Sequence, residues 1–274
     1  MGDSYAACIG REEEMSGRIL ASVAETMAAA LDLETSPRKG DTLPPGWQWL
    51  FFNPVVRRSG LGPDGHPKRG GFLPPIELPR RMWAGSRIRY LADLPVGAEA
   101  TRKSRILKVE EKVGASGALW FVTIAHAIMC GGATCIQEEQ DLVYSDARAA
   151  PPPKRHDAAA QWSEDFTADT TLLFRYSALT FNGHRIHYDQ TYAREQEGYR
   201  DLVVHGPLIA TLLQRVAVAH AGGRRLARFN FRGVAPLFVD RPFRLEGRAE
   251  TDGAALWARG PDGELAMSAT ASFE

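Results

Sequence analysis

Read for hydrophobic spacing, the chain falls into two runs of alternating, strand-like text, each led in by a helical stripe. Behind the acidic cluster Glu12–Glu14, the segment SGRILASVAETMAAALDL sets Ile19, Val23, Met27 and Leu31 four residues apart, which predicts one face of an amphipathic helix. From Thr42 to Arg80 the text turns rich in proline and glycine (LPPGWQWLFF, then GLGPDGHPKRGGFLPPIELPRR), which suits neither a continuous helix nor a central strand. A long ordered loop is expected there. With Trp47, Trp49, Phe51 and Phe52 inside it and Trp83 just beyond, it would cover the sheet as a lid or carry function.

Four strand-like runs follow: SRIRYLADLP, EATRKSRILKVEEKVG, LWFVTIAHAIMCGG and ATCIQEEQDLVY, with alternation at Ile88/Tyr90 and Ile106/Val109 and turns between them, the text of antiparallel strands. The Pro- and Ala-rich AAPPPKRHDAAAQ then reads as a linker. The expected division is an N-terminal half over 1–148, a linker over 149–160 and a C-terminal half over 161–274. The second half opens with a helical start near Leu172–Leu179 and reaches PLIATLLQRVAVAHAGG, where Pro207 is pre-set for a first helical turn and Gly222–Gly223 stop it. Leu208, Ile209, Leu212, Leu213, Val216 and Val218 make this helix apolar all round. It must therefore be buried, and a curved sheet wrapped around it would bury it. A short internal repeat agrees: Ile88-Arg-Tyr90 leads into Leu94-Pro95-Val96 much as Phe229-Asn-Phe231 leads into Ala235-Pro236-Leu237, so two copies of one unit are expected.

Composition narrows the function without naming it. At 274 residues and 44% hydrophobic, the chain can bury a sizeable core. Lys+Arg and Asp+Glu both number 33, so no net positive field recruits nucleic acid or an anionic membrane. Apolar runs are broken before spanning length and the N-terminus lacks a basic start with an apolar core, so a cytoplasmic protein is expected. Cys8, Cys130 and Cys135 form neither an even disulfide framework nor a CxxC knuckle and read as reduced thiols.

Candidate chemistry concentrates between Phe174 and Leu208, which holds Asn182, His184, His187, Asp189 and His205. His184, His187 and Asp189 are metal-ligand types, but His-x-x-His-x-Asp matches no strong metal signature and lacks a fourth ligand. A histidine base is the preferred reading, and no metal is expected.

This stretch resembles the signature of the R-specific enoyl-CoA hydratase (hydratase 2, MaoC-like) family: Gly-Asp-x-Asn-Pro-aliphatic-His-x-Asp followed by a downstream His-Gly. The matching residues are His187-Tyr188-Asp189 and His205-Gly206. The text WQWLFF, GPDGHPKRGGFLPPIELPRRMWAGSRIRY and EEQDLVY is similar to the subfamily of mesaconyl-C4-CoA or itaconyl-CoA hydratases and hydroxyacyl-thioester dehydratases, so the resemblance spans nearly the whole chain. It implies an α+β double hot-dog fold, two curved antiparallel sheets each around a helix, with the central helix of the first half open to degeneration. It also implies a homodimer, an acyl-CoA thioester as substrate and no separate cofactor, since CoA belongs to the substrate. In one respect the chain departs from the pattern: the position five before the histidine, an aspartate in the family, is Asn182, and an amide cannot take a proton.

The implied chemistry is hydration next to a thioester. Water attacks the β carbon while charge gathers on the thioester oxygen, so the site needs a base and a hydrogen-bond donor. His187 is the expected base, taking the proton from water and returning it to the α carbon, with the Asn182 amide holding the water unless another carboxylate reaches in, and the Gly206 N–H, at the start of the buried helix, is the expected oxyanion donor. His184 and His205 are assigned to substrate binding and Asp189 to bracing the loop. Arg80 or Arg81, beside Trp83, would meet a substrate carboxylate, with Arg175 and Arg185 as alternates. Arg194, Arg224, Arg225 and Arg228 are candidates for the CoA phosphates. The expected reaction converts mesaconyl-C4-CoA or itaconyl-CoA to citramalyl-CoA. Its rivals are a thioesterase on the same fold and a non-catalytic acyl-CoA-binding subunit.

Overall fold

The computed structural model describes residues 5–114, 117–146 and 154–274. Its strands are β1 (Glu12–Arg18), β2 (Arg80–Tyr90), β3 (Glu99–Gly114), β4 (Gly117–Cys130), β5 (Ala133–Ser145), β6 (Trp162–Phe166), β7 (Leu226–Gly233), β8 (Phe243–Glu250), β9 (Gly253–Arg259) and β10 (Leu265–Phe273). All ten form one antiparallel sheet in the order β1-β3-β4-β5-β2-β7-β10-β9-β8-β6. Counted inward from either edge, both five-strand sets run first, third, fourth, fifth, second. The two copies meet where β2 pairs with β7, with Ile88 opposite Phe229 and Ser86 opposite Phe231. The short repeat in the sequence marks this seam.

The helices are α1 (Ala21–Ala30), α2 (Thr170–Leu179), α3 (Gln190–Glu195) and α4 (Gly206–Ala219). Helix α4 is the buried rod the sequence predicts: Leu208, Ala210, Leu212, Leu213 and Ala217 are almost fully sequestered, and it lies against β7–β10. Each such leucine contributes about 1.5–3 kcal/mol of burial, so Leu213→Ala would cost about 2–5 kcal/mol. The rod starts where it does because His205 is extended at the cap and Pro207 follows at the first turn.

The first half departs from the expected pattern in three ways. The segment before α1 is an edge strand, not the start of the helix. Glu12, Glu13 and Glu14 of β1 face Arg105, Arg102 and Lys103 of β3, so cross-strand charge pairs outweigh the helical spacing of Ile19 and Met27. The loop is also not a lid alone: Leu43, Trp47, Leu50 and Phe51 are core residues packed with α4's cluster, filling the place of a long central helix. Finally, residues from Arg80 on belong to β2, a central strand of the sheet, with Ile88 and Tyr90 inward and Arg87 and Arg89 outward.

Of the linker expected over 149–160, residues 149–153 lie outside the described residues. Lys154 and His156 bond to the β10 end of the second half, through Leu265 N–H to Lys154 O (2.9 Å) and His156 N–H to Gly263 O (3.0 Å). Among the described residues, no helix is long and apolar enough to cross a membrane.

Candidate active site

The chain leaves α2 through Phe181, whose left-handed backbone (φ 49°) turns it sharply, and Asn182 N–H bonds back to Ser177 O at 2.8 Å. Asn182 Oδ1 then accepts the His184 N–H at 3.0 Å, an Asx turn that starts the 3-10 turn Arg185–His187. This turn carries His187 to the N-terminal end of α4. His187 Nδ1–H donates to Val203 O at 2.7 Å, the choice of tautomer that a carbonyl acceptor dictates. Nε2 is thereby left as the lone-pair nitrogen, with no partner among the described residues. A Cβ built on Gly206 would meet nothing within 4 Å, so the backbone at the helix start fronts open space. Its N–H is one of those that a helix leaves unpaired.

Four imidazoles are layered here. His187 stacks on His205 with ring centroids 3.7 Å apart, His184 stands perpendicular to His187 at 5.5 Å, and His66 lies against His184 at 4.1 Å. Burial, with the neighbouring His205 and His184, holds His187 well below the usual histidine range. Burial likewise brings His205 to about 3, and His66 to about 3 against the opposing pull of Asp64. His205 is anchored by Ser177 Oγ, 2.8 Å from its Nε2. His187, His205 and His66 are therefore neutral at pH 7.

The first half supplies an imidazole to this site, His66, which the sequence reading did not single out. Its turn Gly62–His66 docks on the catalytic loop: Arg185 N–H reaches Asp64 O (2.9 Å), and Arg185 Nη1 reaches Pro63 O (3.0 Å). Contact is so close that a Cβ on Gly65 would sit 1.8 Å from the Gly183 carbonyl oxygen. Asp64 holds His66 at both its N–H and Nδ1, each at 3.0 Å. Behind His184 lies buried Glu197, with Oε1 3.3 Å from His184 Nε2 and Oε2 3.8 Å from Arg80 Nε. The signal available in the sequence was the Asp64/His66 pair between glycines in the text that carries the family resemblance.

The other expected residues are placed as follows. Asp189 braces the loop, accepting Tyr192 N–H at 3.0 Å and Arg185 at 2.7 Å. Among the described residues no three His, Cys, Asp or Glu are arranged to hold a metal. Arg185 is committed to Asp189 and to Pro63 O, with its guanidinium over Tyr192, so it staples the loop instead of serving as a spare cation. Arg80 is buried, donates to the Glu197 carbonyl and lies over Tyr199, so it too is engaged. Arg81, at the start of β2, has its charge beside His66 and Tyr144. Trp83 donates to Ser86 Oγ (2.9 Å) and packs with Trp49 and Phe231 at the β2–β7 seam. Arg175 is exposed on α2. Of the arginines suggested for phosphates, Arg194 pairs with Asp201, Arg224 covers Phe273 and Arg225 pairs with Glu274, whereas Arg228 is exposed on the outer face of β7. Asn182 spends its carbonyl oxygen on His184 and leaves only its amide group for water.

Residues 46–239 match the family described as hydroxyacyl-thioester dehydratase type 2. The chain belongs to this family. It is 46% identical over 276 residues to the mesaconyl-C(4)-CoA hydratase of Chloroflexus aurantiacus, covering 97% of this chain and 96% of that protein. It is 31% identical over 238 residues to the mitochondrial hydroxyacyl-thioester dehydratase type 2 of Schizosaccharomyces pombe, over 77% and 79% of the two chains. The fold is shared with a MaoC-like dehydratase from Phytophthora capsici (TM-score 0.70, 13% identity, 100% of this chain and 98% of that one). It is shared also with a Mycobacterium tuberculosis protein described as a double hotdog fold (TM-score 0.59, 12% identity, 97% and 96%). As a member of the dehydratase family with a double hot-dog fold, the chain is a hydro-lyase of acyl thioesters.

Proposed function

We propose that this hydro-lyase reversibly adds water to the double bond of a short enoyl-CoA that carries a free carboxylate, with mesaconyl-C4-CoA or itaconyl-CoA converted to citramalyl-CoA. The observation that carries the reading is the tautomer of His187: with Nδ1–H spent on Val203 O, its neutral Nε2 is set beside the start of α4. On mesaconyl-C4-CoA, water's oxygen attacks the β carbon as its proton passes to Nε2, and the enolate oxygen settles on the Gly206 N–H, where the helix end favours negative charge. The open space before Gly206 leaves room for the thioester. The substrate assignment draws on the 46% identity to a mesaconyl-C(4)-CoA hydratase and on Arg81, a cation with no ion-pair partner among the described residues. We assign the working form to a cytoplasmic homodimer, with CoA entering only as part of the substrate.

Incubation with mesaconyl-C4-CoA, itaconyl-CoA and crotonyl-CoA, followed by enoyl absorbance and free thiol, tests this. Absorbance should fall without thiol release, fastest for a carboxylate-bearing substrate. Thiol release at the same rate would make the chain a thioesterase, and sedimentation would decide the dimer.

A further inference from the structure

Hydration moves two protons, one off water and one onto the α carbon. Five residues before His187 stands Asn182, whose Oδ1 is held by the His184 N–H and whose amide exchanges no proton. The titratable ring standing across from His187 is His184, perpendicular to it at 5.5 Å. A buried carboxylate is costly unless it is paired. Glu197 is buried, and it directs Oε1 at His184 Nε2 while Arg80 from the other half holds Oε2.

We propose that His184, held by the Glu197 carboxylate, is the acid that delivers the α proton, while His187 takes the proton from water. This rests on the hydratase reading above. Glu197 fixes Nε2–H of His184 and supports its imidazolium, leaving Nδ1–H as the donor. In the forward step water's oxygen bonds to the β carbon and its proton goes to His187 Nε2. The π pair moves into the thioester enolate, and the enolate carbon takes the proton from His184 Nδ1, whose N–H electron pair stays on the ring. The cycle closes when the proton on His187 passes to His184 through water. Arg80 and Glu197 are positioning residues in this scheme; His184 is catalytic.

The groups facing His184 are Glu197, His66 and His187, with Asp64 and Arg81 beyond His66, Arg80 beyond Glu197 and His205 beyond His187. Three variants test the proposal: His184→Gln, Glu197→Gln and Glu197→Asp, each with its melting temperature measured. The 3-hydroxyacyl-CoA deuterated at the α carbon is run in the dehydration direction. His184→Gln should lower kcat by about 10²–10⁴-fold, the usual worth of a general acid, and should raise the α-deuterium isotope effect because C–H transfer becomes limiting. Glu197→Gln should move the alkaline limb of the hydration kcat/KM profile to lower pH, since the imidazolium loses its counter-charge, and Glu197→Asp should restore part of the shift. A His184→Gln enzyme within tenfold of wild type, with an unchanged isotope effect, overturns the proposal. So does an unmoved pH profile in Glu197→Gln, which stands as the test on its own if His184→Gln does not fold. Wild type that hydrates none of the three thioesters would instead remove the hydratase reading itself.

Discussion

His187 and His205 lie face to face, ring centroids 3.7 Å apart and planes 18° from parallel. Two imidazolium ions cannot share that spacing in a dry site, because like charges repel and neither is hydrated. The stack is stable only when neutral, and the fold keeps it so by sealing His205 completely and tying its Nε2 to Ser177.

Acid should therefore weaken the fold well above the carboxylate range. His66 and His205 are both lowered from 6.5 to about 3. A depressed histidine means that the unfolded chain binds the extra proton, so stability is full above pH 6.5 and falls as pH drops from 6.5 toward 3. Each contributes a loss of up to about 1.4 kcal/mol per pH unit in that window. Asp64, held to about 2, adds a loss of the same sign only below about pH 4. Urea midpoints at pH 7 and pH 5 should differ clearly; equal midpoints would mean that the imidazoles are protonated in the folded state.

Replacement of His187 separates its two roles. His187→Ala removes the base and strands the buried Val203 carbonyl, a cost of about 1–3 kcal/mol. His187→Asn places an amide N–H near the position of Nδ1 and should recover most of the lost melting temperature while staying as inactive as Ala. Activity in the Asn variant would transfer the base to another residue.

At position 182 the useful change is Asn182→Asp. The aspartate keeps an acceptor for the His184 N–H, so the 3-10 turn survives, whereas Asn182→Ala loses about 1 kcal/mol of cap-like bonding. The new negative charge favours the imidazolium of His187, which moves the acid limb of kcat/KM to higher pH. A profile superimposable on wild type would place the side chain out of electrostatic reach of the base.

How much of this was legible follows from where each signal lies along the chain. Helix α4 could be read because its start, apolar surface and stop are local: Pro207, Leu208–Val218, Gly222. Asp189 could be read as a brace for the same reason, since its partners Arg185 and Tyr192 lie within a turn of it. Strand β1 was hidden because its evidence is the basic face of β3, far along the chain, while the helical spacing from Ile19 is close by. The contribution of His66 was hidden likewise: GPDGH has the composition of an ordinary turn, and only the approach of Gly65 to Gly183 brings it beside His184. Arg80 and Arg81 are adjacent in sequence and looked equivalent; one strand register makes Arg80 the partner of Glu197 and leaves Arg81 toward His66 and Tyr144.

That difference predicts two kinds of failure. A substrate carboxylate carried into a partly dry pocket must be met by a cation or by several donors. Arg81 is the candidate because Arg80 and Arg185 already hold carboxylates, Glu197 and Asp189. Arg81→Met should therefore lower kcat/KM for mesaconyl-C4-CoA by roughly ten- to a thousandfold, the scale of a lost charge-assisted pair. Crotonyl-CoA, which has no free carboxylate, should lose much less. Arg80→Met removes support for Glu197 and so for His184, and this damage does not depend on what the acyl group carries. It should depress both substrates by a similar factor and appear in kcat more than in KM. Measuring both variants on both thioesters gives a two-by-two comparison. Equal losses in Arg81→Met would return the carboxylate to another partner, exposed Arg175 among them, and a selective loss in Arg80→Met would mean that its pairing with Glu197 gives way when substrate binds.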